Sequence, residues 1–227
     1  MSELLKNQKF GVEVEFTGIT REMAANAVRE VVGGTISGPR SDGYHTRVIK
    51  DSHRRQWKVM RDSSITPKMN VGSASPDEYR VEFVTPPLKY EDIETLQNII
   101  RKFKEIGGVP HSSCGIHIHI DGSNHTATSL RRMVNFMLSR QEIIYEALNI
   151  GARKDRWCKP ICKSLYDTMK KESDLTKDKA EQIWYSEAND HYWGGVNHSH
   201  YNETRYHALN LHSFFSKGTV EFRLFNS

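Results

Sequence analysis

Acidic and imidazole side chains occupy alternate positions in a short isoleucine-rich stretch of this sequence. Residues 114–121 read CGIHIHID, so His117, His119 and Asp121 alternate with isoleucines. Because successive side chains of a strand point to opposite faces, the three polar groups would share one face and the isoleucines the other. Imidazole and carboxylate groups on one face can bind a metal ion or contact a phosphate group.

Two earlier segments repeat this alternation with glutamate. Residues 10–16, FGVEVEF, place Glu13 and Glu15 opposite valine and phenylalanine, and residues 79–84, YRVEFV, do the same for Glu82. Near the C-terminus, residues 205–213 and 218–225 predict a hairpin around Ser216–Lys217–Gly218. The polar positions of its two arms are Asn210, His212, Glu221 and Arg223.

Taken together, the polar positions of these strands favour a metal site. For any one strand, a half-exposed sheet with its polar side in water is the simpler interpretation. The combined face, however, carries four glutamates, the two adjacent histidines of CGIHIHID and an aspartate, without a lysine. Converging carboxylates repel one another unless cations bind between them. Carboxylates with an imidazole suit Mg²⁺ or Mn²⁺, and protein-bound Mg²⁺ commonly contacts substrate phosphates.

A nucleotide-dependent enzyme is therefore the interpretation that the residues favour. An arginine on the same surface would neutralise charge on a transferred phosphoryl group. The sequence contains neither a GxxxxGK[ST] nor a GxGxxG loop. If ATP binds, the metal ions on the sheet would have to hold it.

Composition limits the other classes of function. The 227 residues carry a net charge of +4 without a dense basic run, so we expect no nucleic-acid partner. No apolar run approaches the roughly 20 residues of a membrane span, and the N-terminus lacks a signal-peptide pattern. Three scattered cysteines do not indicate a disulfide framework. We therefore expect a cytoplasmic protein without a membrane partner.

Helical and strand patterns are mixed along the chain and predict an α+β fold. Strands at 43–50 and 55–61 join those already described. Helices are predicted at residues 20–32, 91–106, 126–150, 154–171 and 176–188. The strands alternate in character, which favours a curved, mainly antiparallel sheet with helices on its apolar face. Residues 189–203, rich in histidine and aromatic residues, are interpreted either as a substrate lid or as a packed loop.

The order of the motifs resembles the amidoligase family. GVEVEF, MRDSSI, VEFVTPPL, GIHIHID, RYHALNL and TVEFRLF follow one another from Phe10 to Phe225. That family belongs to the carboxylate–amine/ammonia ligases, with glutamine synthetase and γ-glutamylcysteine ligase. The resemblance implies one catalytic domain over residues 1–227, with a fold like the glutamine synthetase catalytic domain. It also leads us to expect further residues after Ser227, so the C-terminus is interpreted as short or truncated.

The resemblance implies a role for each matching position. The implied metal ligands are Glu13, Glu15, Glu82, His117 and Glu221. The implied nucleotide contacts are His119, Arg205, Asn210 and Arg223. Arg205, Arg223 and Asp62 are the implied catalytic residues.

The implied reaction is ATP- and Mg²⁺-dependent amide-bond formation, with Mn²⁺ as the alternative ion. A carboxylate takes the γ-phosphoryl group to give an acyl phosphate, and an amine then displaces phosphate. The base for the amine is left open among Asp62, His212 and a residue of 189–203.

The substrates are also left open. The carboxylate and amine could be small molecules, peptides or protein side chains, and the sequence does not fix the oligomeric state. Two alternatives to the ligase remain: a metal-dependent hydrolase that uses HxH, and an inactive nucleotide- or peptide-binding module of the same fold.

Overall fold

The computed structural model describes residues 2–188 and 195–227 and has an α+β fold, as predicted. The helices are α1 (Glu3–Asn7), α2 (Arg21–Val32), α3 (Ile93–Glu105), α4 (Ala127–Ala147), α5 (Lys163–Lys171), α6 (Lys177–Glu187) and α7 (His212–Lys217). The strands are β1 (Phe10–Phe16), β2 (Thr35–Ser37), β3 (Arg47–Lys50), β4 (Gln56–Met60), β5 (Val81–Val84), β6 (Gly115–Asp121), β7 (Leu209–Asn210) and β8 (Thr219–Asn226).

The chain divides into two compact units. The first unit runs to Ile118 and includes Asn226–Ser227, and the second unit runs from His119 to Phe225. The prediction of a single catalytic domain, like that of a glutamine synthetase fold, stays a prediction.

The first unit contains an antiparallel sheet in the order β2-β3-β4-β5-β1-β6. The registers of β2 with β3, β3 with β4, β4 with β5 and β5 with β1 are all antiparallel. Val12, Val14 and Phe16 of β1 are buried in a core that also contains residues of α2 and α3. The ring of Phe16 stacks on Phe103 of α3 with centroids 4.7 Å apart. The apolar side of β1 thus faces the core, which the alternating pattern predicted.

Local signals in the sequence set the ends of α2. The Thr20 hydroxyl accepts a hydrogen bond from the Met23 amide at 3.2 Å, which satisfies an amide of the first turn. The helix ends at Val32 and is capped by Gly33, whose φ of 74° is readily adopted by glycine. Both ends match the predicted helix closely.

The second unit is built around α4, α5 and α6. Leu130 and Val134 of α4, Leu165 of α5 and Trp184 of α6 are fully buried in one apolar core. Its strands follow the order β6-β8-β7, and β7 pairs with β8 in antiparallel register. Because β6 begins at Gly115 and ends at Asp121, the strand that carries both histidines passes from one unit to the other.

The predicted C-terminal hairpin is wrong in its first arm. Only Leu209–Asn210 pairs with β8, and residues from His212 to Lys217 form α7 instead of strand. The Asn210 carboxamide oxygen accepts a hydrogen bond from the Ser213 amide at 3.2 Å, which supports the start of this helical turn. Gly218 ends the helix in the left-handed region at φ 78°. His212 is therefore a helix residue.

Smaller differences concern element bounds. The helix predicted over 154–171 begins only at Lys163, after a 3₁₀ turn at Gly151–Asp155. The short α1 and β2 were not predicted from the sequence. Across residues 2–188 and 195–227, no helix is long and apolar enough to cross a bilayer. Part of the predicted lid, residues 189–194, lies outside the described residues.

Candidate functional site

Polar side chains on β1, β6 and β8 are buried. The exposed fraction is 5% for Glu15, 4% for His117, 3% for Glu221 and 5% for Arg223. The simpler interpretation of a water-covered polar face is therefore wrong at these positions. Charged groups are rarely buried to this extent unless they are paired or bind ions.

In the first unit, three carboxylates converge. The antiparallel register of β1 with β5 places Glu82 directly opposite Glu15. Oxygen atoms of Glu15, Glu82 and Asp62 all lie within 4.8 Å of one another. We refer to these three residues as the carboxylate cluster. Like charges directly opposite on a sheet destabilise it, so a cation bound among them would be favourable.

A network of arginines holds the loop that carries Asp62. Arg61 Nε donates to Asp77 Oδ1 at 2.7 Å. Arg80 Nη1 donates to the Ile65 carbonyl at 2.7 Å and also to the Ser63 carbonyl. Asp62 Oδ1 itself accepts a hydrogen bond from the Ser64 amide at 2.7 Å, closing a tight turn. These contacts explain why a loop residue lies beside two strand glutamates.

His117 links the cluster to Glu13. Its Nδ1 lies 3.0 Å from Glu13 Oε2, and its Nε2 lies 3.9 Å from Glu15 Oε1. The Gly115 amide donates to Glu15 Oε2 at 2.8 Å, which fixes the orientation of that carboxylate. All five residues predicted for this part of the chain, Glu13, Glu15, Asp62, Glu82 and His117, are thus connected within the first unit.

This donor set fits a hard divalent cation. Carboxylate oxygens with a single imidazole are the ligands typical of Mg²⁺ and Mn²⁺ sites, whereas structural zinc sites favour thiolates and several imidazoles.

In the second unit, Glu221 lies between two donors. Asn210 Nδ2 donates to its Oε2 at 2.6 Å, and Arg223 Nη1 donates to its Oε1 at 2.6 Å. Asn210 is opposite Glu221 in the register of β7 with β8. Arg223 Nε also donates to the Trp157 carbonyl at 3.4 Å, and its guanidinium lies 5.8 Å from the centre of the Tyr206 ring. The guanidinium is therefore held in one position.

Hydroxyl groups surround His119. Its Nδ1 lies 3.1 Å from Thr219 Oγ1 and 3.4 Å from Ser213 Oγ, while its Nε2 lies 3.9 Å from Glu221 Oε2. Ser213 lies on α7 and Thr219 begins β8, so both elements orient this imidazole. The sequence analysis missed Ser213 and Thr219, because serine and threonine near a turn are common and carry no specific signal.

A cleft of about 210 Å³ opens in the second unit and brings Arg205, Asn210 and Glu221 together. Its lining comprises His198, His200, Arg205, Asn210, His212, Ser213, Ser216, Lys217 and Glu221. Arg205 Nη1 donates to the His200 carbonyl at 2.8 Å, so the arginine is tied to the wall of the cleft. The lining is rich in cationic and imidazole groups, which suits an anionic substrate or a phosphate.

His212 is held by a buried tyrosine. Its Nδ1 lies 2.7 Å from the Tyr185 hydroxyl. Burial lowers the pKa of His212 to about 4, and the neighbouring groups Arg205, His198 and Lys217 act in the same direction. Burial also raises the pKa of Tyr185, so its hydroxyl keeps its proton and can donate it to the imidazole. The ring is therefore neutral at physiological pH.

Helix α6 contributes two side chains that the sequence analysis did not identify. Glu181 and Tyr185 are four residues apart and so lie on one face of the helix. Glu181 Oε1 lies 2.5 Å from His198 Nε2, and Tyr185 contacts His212. The four-residue spacing was visible in the sequence, but nothing there indicated which histidines the pair would meet.

Comparison with known proteins identifies a family. A family model described as "Putative amidoligase enzyme" matches residues 6–227, which is nearly the whole chain. No curated protein and no solved structure matches the chain.

Proposed function

The chain belongs to the amidoligase family, and from that premise we propose an ATP- and Mg²⁺-dependent ligase that joins a carboxylate to an amine. The observation that carries the proposal is the carboxylate cluster, in which oxygens of Glu15, Asp62 and Glu82 lie within 4.8 Å of one another. Three acids at this separation suit a divalent cation, and an ATP-dependent ligase needs one.

The first unit would supply the metal site. Glu15 and Glu82 would bind Mg²⁺ directly, with His117 and Glu13 as further ligands and Asp62 completing the cluster. When bound, Mg²⁺ neutralises charge on the nucleotide phosphates and lowers the cost of phosphoryl transfer. The Gly115 amide and the Arg61 and Arg80 contacts keep the ligands in place, which reduces the reorganisation needed when the ion binds.

The second unit would contact the transferred group. Arg223, fixed by Glu221 and the Trp157 carbonyl, offers a guanidinium that does not move during the reaction. Arg205 and Asn210 line the cleft of the second unit, where they can bind phosphate oxygens or the substrate carboxylate. His119, oriented by Thr219, is the further proposed nucleotide contact, and Glu221 the further proposed metal ligand.

The proposed reaction has two steps. The substrate carboxylate attacks the γ-phosphorus of ATP, the bond to the bridging oxygen breaks, and ADP leaves with that electron pair. The resulting acyl phosphate is then attacked by an amine, the carbon–oxygen bond to phosphate breaks, and an amide and inorganic phosphate are released. Exclusion of water protects the acyl phosphate from hydrolysis. Small-molecule or peptide carboxylates and amines are the substrate classes we propose.

Trapping with hydroxylamine tests this function without knowledge of the amine. Hydroxylamine is largely uncharged at neutral pH and converts an acyl phosphate to a hydroxamate. The purified chain would be incubated with ATP, Mg²⁺, hydroxylamine and a panel of proteinogenic amino acids, dicarboxylic acids and short peptides. We expect ADP and hydroxamate in equal amounts with at least one carboxylate, and neither product with EDTA.

A pair of variants makes the test specific. Glu15→Gln should lower hydroxamate formation by about 100-fold or more, because it removes a ligand charge from the cluster. The matched control is Glu22→Gln, at an exposed glutamate of the same unit that forms an ion pair with Arg47. Absence of ADP release with every carboxylate, or equal rates in the two variants, would refute the proposal.

A further inference from the structure

The Glu181–His198 pair on the second-unit cleft has the arrangement of an oriented general base. His198 lines the cleft, and its side chain is 49% exposed, so a small molecule can reach it. Glu181, only 20% exposed, lies 2.5 Å from Nε2 of the ring. With Nε2–H donating to the carboxylate, the lone pair of the neutral ring is on Nδ1. Carboxylates orient catalytic imidazoles in this way.

A surface ion pair is the alternative explanation for this contact, and the packing of the ring argues against it. Exposed ion pairs are usually mobile and contribute little to the stability of the fold. Here the His198 ring also packs against Tyr185, with centroids 5.9 Å apart. Tyr185 is 1% exposed and in turn holds His212 at 2.7 Å. One face of α6 thus positions two imidazoles at the same cleft.

The other candidates for the base are less suited to the task. His212 is buried, and its Nδ1 lies 2.7 Å from the Tyr185 hydroxyl, which can donate a hydrogen bond to the lone pair that a base would use. Asp62 belongs to the carboxylate cluster, where the proposed cation would engage its oxygens. His198 combines exposure to the cleft, a carboxylate partner and a lone pair on the opposite nitrogen.

We propose that His198, oriented by Glu181, accepts the proton that an ammonium substrate loses before attack, and that the cleft is the amine site. This inference rests on the proposed ligase function. It identifies the second substrate as an amine that binds in its protonated, ammonium form. The groups around His198 on the surrounding elements are Glu181 and Tyr185 of α6, and His200, Arg205, His212, Lys217 and Glu221 of the cleft.

The proton balance is as follows. His198 Nδ1 takes one proton from R–NH₃⁺ and becomes imidazolium, which the Glu181 carboxylate stabilises. The nitrogen lone pair of R–NH₂ forms the bond to the acyl carbon, and the carbon–oxygen bond to phosphate breaks with its electrons on oxygen. The second proton lost by nitrogen goes to the departing phosphate. The products are the amide, HPO₄²⁻ and imidazolium, which then releases its proton to water.

Hydroxylamine separates this step from the chemistry before it. Because hydroxylamine is largely uncharged at neutral pH, its reaction with the acyl phosphate needs no base, whereas an alkylammonium ion must first be deprotonated. His198→Asn should therefore lower amide formation from glycine, ethanolamine or L-lysine by about 100-fold or more at pH 7. Hydroxamate formation with the same carboxylate should change by less than about threefold.

Two further signatures identify a base. In His198→Asn the amide rate should rise by about tenfold per pH unit towards the pKa of the amine, because free amine then forms without a catalyst. In His198→Gly, added imidazole should restore amide formation and leave hydroxamate formation unchanged. Glu181→Gln should give a smaller loss than His198→Asn, again confined to the amine reaction, because it acts by positioning His198.

Matched controls lie outside the cleft. His53→Asn replaces an exposed turn histidine of the first unit, and Glu172→Gln breaks an exposed ion pair with Lys179 on α6. Neither should change the ratio of amide to hydroxamate. If His198→Asn reduces both products equally, or leaves the amide rate unaltered, the inference is overturned. If the wild type makes no hydroxamate with any carboxylate, the proposed ligase function itself fails, and the two failures are thereby distinguished.

Discussion

The carboxylate cluster of the first unit and the Glu221 site of the second unit accommodate their acidic side chains in different ways. In the cluster, Glu15, Asp62 and Glu82 bring like charges within 4.8 Å. In the second unit, Glu221 receives hydrogen bonds from Asn210 and Arg223, each at 2.6 Å. The first arrangement should gain stability from an added cation because like charges converge there, and the second includes an arginine that pairs with the acid. Four predictions test this difference.

The largest expected effect is on the Glu221–Arg223 pair. Arg223→Met leaves the Glu221 carboxylate buried with the Asn210 amide, which should lower the free energy of unfolding by about 3–5 kcal/mol. Adding Glu221→Gln removes the buried charge and should recover most of the loss. Urea denaturation in EDTA measures both values. Equal stability of the single and double variants would contradict a role of Arg223 in balancing the buried charge of Glu221.

Next in size is the response of the first unit to Mg²⁺. Mass action predicts that Mg²⁺ at about 100 times its dissociation constant stabilises the wild type by about 2.7 kcal/mol. Glu15→Gln should lose this gain, yet in EDTA it should be no less stable than the wild type, since one of the clustered charges is gone. Thermal unfolding across a Mg²⁺ titration gives both results. A Mg²⁺ response that survives Glu15→Gln would place the ion elsewhere.

A pH effect follows from His212. Its pKa is about 4 in the folded chain and about 6.5 when unfolded, so the unfolded chain binds the proton first as pH falls. The contribution of His212 to the free energy of unfolding is fully present above about pH 6.5 and is lost towards pH 4. The loss between pH 7 and pH 5 should be about 2 kcal/mol. Denaturation curves of wild type and His212→Asn at several pH values measure it. The variant should lack this part of the pH dependence.

The smallest effect concerns helix caps, which should behave alike in the two units. Thr20 caps α2 in the first unit and Thr126 caps α4 in the second, each through its hydroxyl at 3.2 Å from a backbone amide. Replacing either by Ala should cost about 1 kcal/mol of unfolding free energy, measured in urea and independent of Mg²⁺. A Mg²⁺-dependent cost for either cap would show that the two regions differ in more than their charges.

Elements with strong local signals were predictable. The bounds of α2, α3 and α6 follow apolar periodicity with a threonine cap or a glycine stop, and β1 and β6 follow strict alternation. The strand prediction for residues 205–213 was wrong beyond Asn210, because the alternation of Leu209, Asn210, Leu211 and His212 resembles that of a strand. The Asn210–Ser213 contact and left-handed Gly218 favour a helical turn there.

The sequence by itself determined which residues could do chemistry, because alternation assigns each side chain of a strand to one face. It therefore identified Glu13, Glu15, Glu82 and His117 in the first unit, and Asn210, Glu221 and Arg223 in the second. Only the tertiary structure decided that Glu82 lies opposite Glu15 and that Asp62 joins them from a loop. The tertiary structure also placed Glu181 beside His198. Strand register, the position of a loop held by arginines and the packing of helices all depend on contacts between residues far apart in the chain, so the sequence pattern alone did not reveal them.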